Sequence, residues 1–157
     1  MTDSDFENVF GAVHSTQASF AERLGRGKPP EAEPEPPEPL PGDGPYKAFG
    51  YLPSGNIGET CEICRWIDGT TISDGIEFNY RYLMHVGFVG EEELRLFLPD
   101  CIVVIHGRNL RELRKKLSRR QVTFICQYSE RVWREPPRPD APVVERVEIV
   151  RPSSAAA

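Results

Sequence analysis

Eight of the fifteen prolines in this chain fall within seventeen positions, Pro29 to Pro45, interleaved with Glu31, Glu33, Glu35 and Glu38. Proline fixes φ and removes a backbone donor, so neither a regular helix nor an interior strand passes through such a run. Repulsion between the glutamates favours an extended, polyproline-like tether of about 3.1 Å per residue. The run therefore divides the 157 residues into an arm (1–24), a disordered Pro/Glu-rich linker (25–45), a domain (46–150) and a loose tail (151–157).

In the arm, Phe6, Val9, Phe10, Val13, Phe20 and Leu24 recur near the helical period, and Ser4 followed by Glu7 matches a capping box. These features predict an amphipathic helix over residues 3–24, weakened at Gly11 by about 1 kcal/mol relative to Ala. An apolar stripe of Phe6, Val9, Phe10 and Val13 is costly in water and sized for a groove. The groove could belong to a protein partner, a second copy of the chain, or the chain's own domain.

Beyond Tyr46 the hydrophobic period becomes two. Thr60 to Ile67 and Thr70 to Ile76 read as strands joined at the hairpin dipeptide Asp68-Gly69. Phe78, Tyr80, Tyr82, Met84, Val86 and Phe88 alternate as one long strand. After a turn at Gly90 to Glu92, Leu94, Leu96 and Leu98 mark another strand, which Pro99-Asp100 ends. The run Cys101 to Ile105, apolar on both faces, predicts a central strand buried on both sides. A helix from Asn109 to Arg120 follows, with Asn109 as N-cap and Glu112 returning to it. Val122 to Tyr128 reads as a strand with Val122, Phe124, Cys126 and Tyr128 on one side, and Val143 to Val150 as an edge strand. The expected fold class is α+β: a small, mostly antiparallel curved sheet or open barrel with one packed helix, preceded by the tethered N-terminal helix.

Charge is segregated along this chain. The net charge is -5, yet residues 107–138 hold ten basic and three acidic side chains. On a helical wheel Leu110, Leu113 and Leu117 share one side, and Arg111, Lys115 and Arg119 line the other. Together with Arg108, Lys116 and Arg120 these cations form a candidate surface for nucleic acid or phosphate, which also suits the helix N-terminus beside His106 and Arg108. Two rival readings need no external ligand. The stripe is then solvated surface, or it faces the acidic linker in cis or across a dimer.

The segment Val104 to Leu110 resembles the second motif of Sm-like RNA-binding barrels, where an apolar strand is also followed by a basic residue and Gly. The likeness covers about seven residues and stops at the three-turn helix that replaces a short final strand. No family follows from it.

Cys61 and Cys64 form a C-x-x-C, a spacing used in metal and redox sites, and are weak metal candidates. They fall in a predicted strand, where residues i and i+3 point to opposite faces. Completing a zinc site would require Cys101, Cys126, His85 or His106, none of which forms a second pair at knuckle spacing. Inert, apolar thiols are the simpler reading. The chain lacks G-x-S-x-G, a Walker loop, H-E-x-x-H and a dinucleotide fingerprint. Glu91 to Glu93 read as turn residues and His85 as a surface or core-edge side chain, so no enzyme and no cofactor are expected.

No window reaches the ~18 apolar residues of a membrane-spanning helix. The start Met1-Thr2-Asp3-Ser4-Asp5 is acidic where a secretory signal is basic, which predicts a cytoplasmic chain with reduced thiols and no membrane partner. The functional expectation is a non-enzymatic binding or adaptor protein whose N-terminal helix docks on a partner through a flexible linker. The alternatives are a nucleic-acid or phosphate-binding domain using helix 108–120 and a Cys-based metal site.

Overall fold

The computed structural model describes Gly42 and residues 44–153. The expected N-terminal helix with Phe6, Val9, Phe10 and Val13, most of the Pro/Glu tract and the last four residues lie outside the described residues. Among the described residues, eight strands and one α-helix follow in chain order: β1 (Phe49–Tyr51), β2 (Thr60–Trp66), β3 (Ser73–Asn79), β4 (His85–Val89), β5 (Glu93–Phe97), β6 (Ile102–Arg108), α1 (Arg111–Ser118), β7 (Val122–Cys126) and β8 (Val143–Val150). They form two four-stranded sheets, A in the order β1-β7-β2-β3 and B in the order β4-β5-β6-β8. The pairing of β2 with β7 is parallel and the other described ladders are antiparallel. The fold is mixed α+β and mostly strand, with no closed barrel among the described residues.

One core joins the two sheets and the helix. Cys61 and Ile63 of β2, Leu94 and Leu96 of β5, Val103 and Ile105 of β6, Val122 and Ile125 of β7 and Val144 and Val147 of β8 bury side chains together. Leu110, Leu113 and Leu117 close it from the helix side. Burying each such aliphatic side chain contributes roughly 1.5–3 kcal/mol.

Three strand expectations are corrected. The long strand through Phe78 to Phe88 is broken by a 3₁₀ turn at Tyr80–Tyr82. Asn79 Oδ1 accepts the N–H of Arg81 at 2.9 Å, and the N–H of Leu83 donates to the Tyr80 carbonyl at 3.2 Å. This local bonding displaces the ladder, so the chain leaves sheet A at Asn79 and enters sheet B at His85. Alternation of apolar residues continues through the break, which is why it reads as one strand.

The second correction concerns β6, expected to be buried on both faces. Val103, Ile105 and Gly107 are buried, while Ile102, Val104 and His106 on the outer face are only partly covered. The strand also runs on to Arg108, through a bulge opposite β8 between His106 and Gly107. A Cβ on Gly107 would lie 2.0 Å from the carbonyl oxygen of Val143, so the bulge requires glycine.

The third lies in β7. Gly50 of β1 pairs with Phe124 but Tyr51 pairs with Val122, leaving Thr123 as an extra residue. The bulge separates Val122, which belongs to the main core, from Phe124 and Cys126. Phe124 and Cys126 join a second apolar cluster with Cys64, Trp133, Tyr46, Trp66 and Tyr128. Tyr46 holds this cluster to sheet B, its hydroxyl donating to the Cys126 carbonyl at 2.7 Å and accepting the N–H of Val144 at 3.1 Å.

Other expectations stand. Asp68-Gly69 lies in the turn from β2 to β3, closed by the Thr70 N–H on the Ile67 carbonyl at 3.0 Å, although β3 runs over Ser73–Asn79 rather than the expected Thr70 to Ile76; Val89 and Glu93 flank the β4–β5 turn, and β8 is an edge strand.

Candidate functional site

Backbone hydrogen bonds fix both ends of the basic helix, and its leucine side chains bury into the core. Asn109 is not the N-cap that its spacing to Glu112 predicts. It adopts a left-handed φ of 56°, and its Nδ2 donates to the carbonyls of Pro139 and Ala141 at 3.3 and 3.1 Å. Leu110 takes the cap position without a side-chain bond. Instead, the β4–β5 turn holds the junction: the N–H of Gly107 donates to the Glu92 carbonyl at 2.8 Å and that of Leu110 to the Glu91 carbonyl at 2.9 Å. Turn glutamates expected to be merely solvated thus position the helix start through their backbone. At the other end Arg120, also left-handed at φ 56°, offers its carbonyl to the N–H of Gly58 at 2.7 Å.

Between these anchors the helix divides as its wheel predicts. Leu110, Leu113 and Leu117 are fully buried, whereas Arg108, Arg111, Lys115, Arg119 and Arg120 are exposed. Lys115 Nζ lies 3.3 Å from Glu112 Oε1, and among the described residues this is the one ion pair made by the six candidate cations. Lys116 Nζ sits 4.5 Å from the centroid of the Tyr51 ring on one flank, and the Arg114 guanidinium 3.8 Å over the Phe88 ring on the other. Both rings are 56% exposed. A ring quadrupole attracts a cation without neutralising its charge, so these contacts fix Lys116 and Arg114 while preserving the positive field. Tyr51 and Phe88 were absent from the sequence-derived set because each comes from a different sheet. Neither strand gives a local signal of proximity to the helix.

His106, expected beside the helix N-terminus, belongs elsewhere. It lies on the outer face of sheet B, with Nδ1 3.6 Å from Glu93 Oε2 and Nε2 3.9 Å from Glu148 Oε2. Arg95 pairs with Glu93 at 2.6 Å, and Arg146 pairs with Glu148. His85 stacks on Phe97 with ring centroids 4.0 Å apart.

The C-x-x-C is split by its strand. Cys61 enters the main core and Cys64 the aromatic cluster on the opposite face of sheet A. Burial pushes the Cys61 thiol up to about 12. Cys64 has a different neighbour, Cys126, its partner in the parallel β2–β7 ladder. The Cys126 thiol beside it draws the Cys64 thiol below its usual range and is itself pushed upward by Cys64 and by burial, while the Sγ atoms approach backbone carbonyls, Cys64 that of Arg65 at 3.9 Å and Cys126 that of Gln127 at 3.7 Å. No group of three or more His, Cys, Asp or Glu residues that could hold a metal ion occurs among the described residues.

Two shallow depressions of about 250 and 260 Å³ open on sheet A, one beside Trp66 and Gln127 and one lined by Glu62, Cys64, Ser73 and Glu77. No described helix is long and apolar enough to cross a membrane. Comparison with protein-family models, with curated proteins and with solved structures gave no match.

Proposed function

We propose that this is a non-enzymatic binding protein whose described working surface is the basic face of α1, and that this face takes a phosphate-bearing polymer, nucleic acid in particular. The observation that carries the reading is the set of exposed cations Arg108, Arg111, Lys115, Arg119 and Arg120, of which only Lys115 has a carboxylate partner among the described residues. Like charges at i and i+4 cost an isolated helix roughly 0.2–0.5 kcal/mol per pair. Folding alone therefore gains nothing from the stripe, and a polyanion would relieve it by releasing counterions. Arg114 and Lys116, held over Phe88 and Tyr51, widen the positive strip beyond the helix axis.

Binding to fluorescent single-stranded and duplex oligonucleotides tests the reading. Wild type is expected to bind both with affinity that falls as salt rises. Reversal of Arg111, Lys115 and Arg119 to Glu abolishes that binding. Absence of salt-dependent binding by wild type overturns the reading.

The adaptor component rests on the pattern of Phe6, Val9, Phe10 and Val13 and completes the proposal: the arm docks on a protein partner or a second copy while the domain holds the polyanion. Deleting residues 1–45 is expected to change the assembly state or the partners recovered, with cooperative melting of the remaining domain retained. An unchanged assembly state and partner set counts against the arm.

A further inference from the structure

We infer that Cys64 and Cys126 form a peroxide-responsive dithiol site, in which Cys64 is the attacked thiol and Cys126 the resolving one. The pair is made by the fold. Thr60–Trp66 and Val122–Cys126 are parallel neighbours in which Cys64 is registered against Cys126. Adjacent strands lie about 4.8 Å apart, inside the Cα separation of about 4.4–6.8 Å that a disulfide spans. Both side chains are on the same face, since both pack against Trp133 in the aromatic cluster. Neither Cys61 nor Cys101 shares that face: both are buried in the main core.

Both members of the pair are buried, but they differ in their surroundings and in protonation. Cys64 lines the open depression with Glu62, Ser73 and Glu77, and its partner on β3 is Gly75, which has no side chain to cover it. Cys126 is registered against Cys64, its N–H donates to the Ala48 carbonyl at 2.8 Å, and its own carbonyl accepts the Tyr46 hydroxyl. The proximity of the two thiols favours thiolate on Cys64, the sulfur at the depression, and keeps the proton on Cys126.

The chemistry balances with hydrogen peroxide as the oxidant. The Cys64 thiolate attacks one peroxide oxygen, the O–O bond breaks, and hydroxide leaves, taking up a proton to become water. The resulting sulfenic acid is then attacked by the Cys126 sulfur. The S–S bond forms, the S–O bond breaks, and the Cys126 proton leaves with the hydroxyl as a second water. Two electrons pass from the thiols to the peroxide, and a small dithiol reductant returns them. The product staples β2 to β7 directly beneath Trp133.

Treating the full chain with hydrogen peroxide tests this. The expected result is loss of two hydrogens in mass, a peptide cross-link joining Cys64 to Cys126, a change in tryptophan fluorescence, and reversal by dithiothreitol. In the Cys126→Ser variant, whose hydroxyl stands where the neighbouring thiol was, the same treatment is expected to leave a sulfenic acid at Cys64, trapped by a cyclic 1,3-dione, and no cross-link. A second variant, Cys61→Ala, is expected to form the Cys64–Cys126 link as wild type does. Four thiols still free after peroxide, or a cross-link through Cys61 or Cys101, overturns the proposal. So does a Cys64 that escapes the dione in the Cys126→Ser variant while that variant keeps its cooperative melt.

Discussion

On the outer face of sheet B, Arg95, His106 and Arg146 each lie within 4.0 Å of Glu93 or Glu148, whereas on α1 only Lys115 among the six candidate cations has such a neighbour. The two regions adjoin in sequence, β6 carrying His106 and Arg108 and leading directly into the helix. Both reach solvent and both hold basic side chains, so counting charges does not distinguish them. What differs is whether the fold supplies the counter-charge. Sheet B brings four strands side by side and sets acids from β5 and β8 across from the histidine of β6. The outside of a single helix has no such neighbours, and its field points into solvent.

The largest test concerns what fixes the orientation of the basic stripe. Leu113→Ala empties a fully buried position between the sheets and α1. It is expected to cost about 2–5 kcal/mol in denaturant unfolding. A loss below ~1 kcal/mol would mean that the leucine face does not hold the helix, and that the contrast between the regions has no structural basis.

Next is the bulge that separates them. Gly107→Ala places a Cβ against the Val143 carbonyl and forces β6 away from β8 just before the helix. A cost of about 1–3 kcal/mol is expected from such overpacking. Retained stability would show that the His106–Gly107 bulge tolerates a side chain and does not set the exit of β6 toward α1.

The smallest expected effect is on the paired side. Glu148→Gln removes the acid shared by His106 and Arg146. Since Arg146 is exposed and His106 and Glu148 are half-buried at the surface, the change in stability is expected to be about 0.2–1 kcal/mol, and smaller still at high salt. A marked gain in oligonucleotide binding by this variant would show that pairing on sheet B masks a second anion-binding surface.

How much of this is legible in the chain depends on how local each feature is. The leucine and arginine faces of α1 follow from 3.6-residue spacing, and the hairpin at Asp68-Gly69 from its turn dipeptide. The break at Asn79 escapes detection because apolar alternation persists while a side-chain oxygen takes over a backbone N–H. Sheet division follows from that break, so two sheets replace the single curved one. Asn109 has the residue type and spacing of a cap, yet its amide bonds to a loop thirty residues away, information that no window around the helix contains.

The same limit governs the sites. Arg108, Arg111, Lys115, Lys116, Arg119 and Arg120 could be read from the sequence, but Phe88 and Tyr51, which hold Arg114 and Lys116, could not. The C-x-x-C drew attention to Cys61 and Cys64, two thiols that the strand geometry parts. The thiol that Cys64 meets is Cys126, brought there by a parallel pairing with no signature in either strand.

The most direct measurement is the salt dependence of oligonucleotide binding by wild type and by the Arg111→Glu, Lys115→Glu, Arg119→Glu variant, with unfolding measured alongside. Log affinity for duplex should fall linearly with log salt in wild type, at a slope of about -0.9 per phosphate neutralised. The variant should melt within about 0.5 kcal/mol of wild type and lose that binding, as surface substitutions change recognition without changing the core. Salt-independent binding, or equal slopes in the two proteins, would contradict the assignment of the basic face of α1 as the working surface.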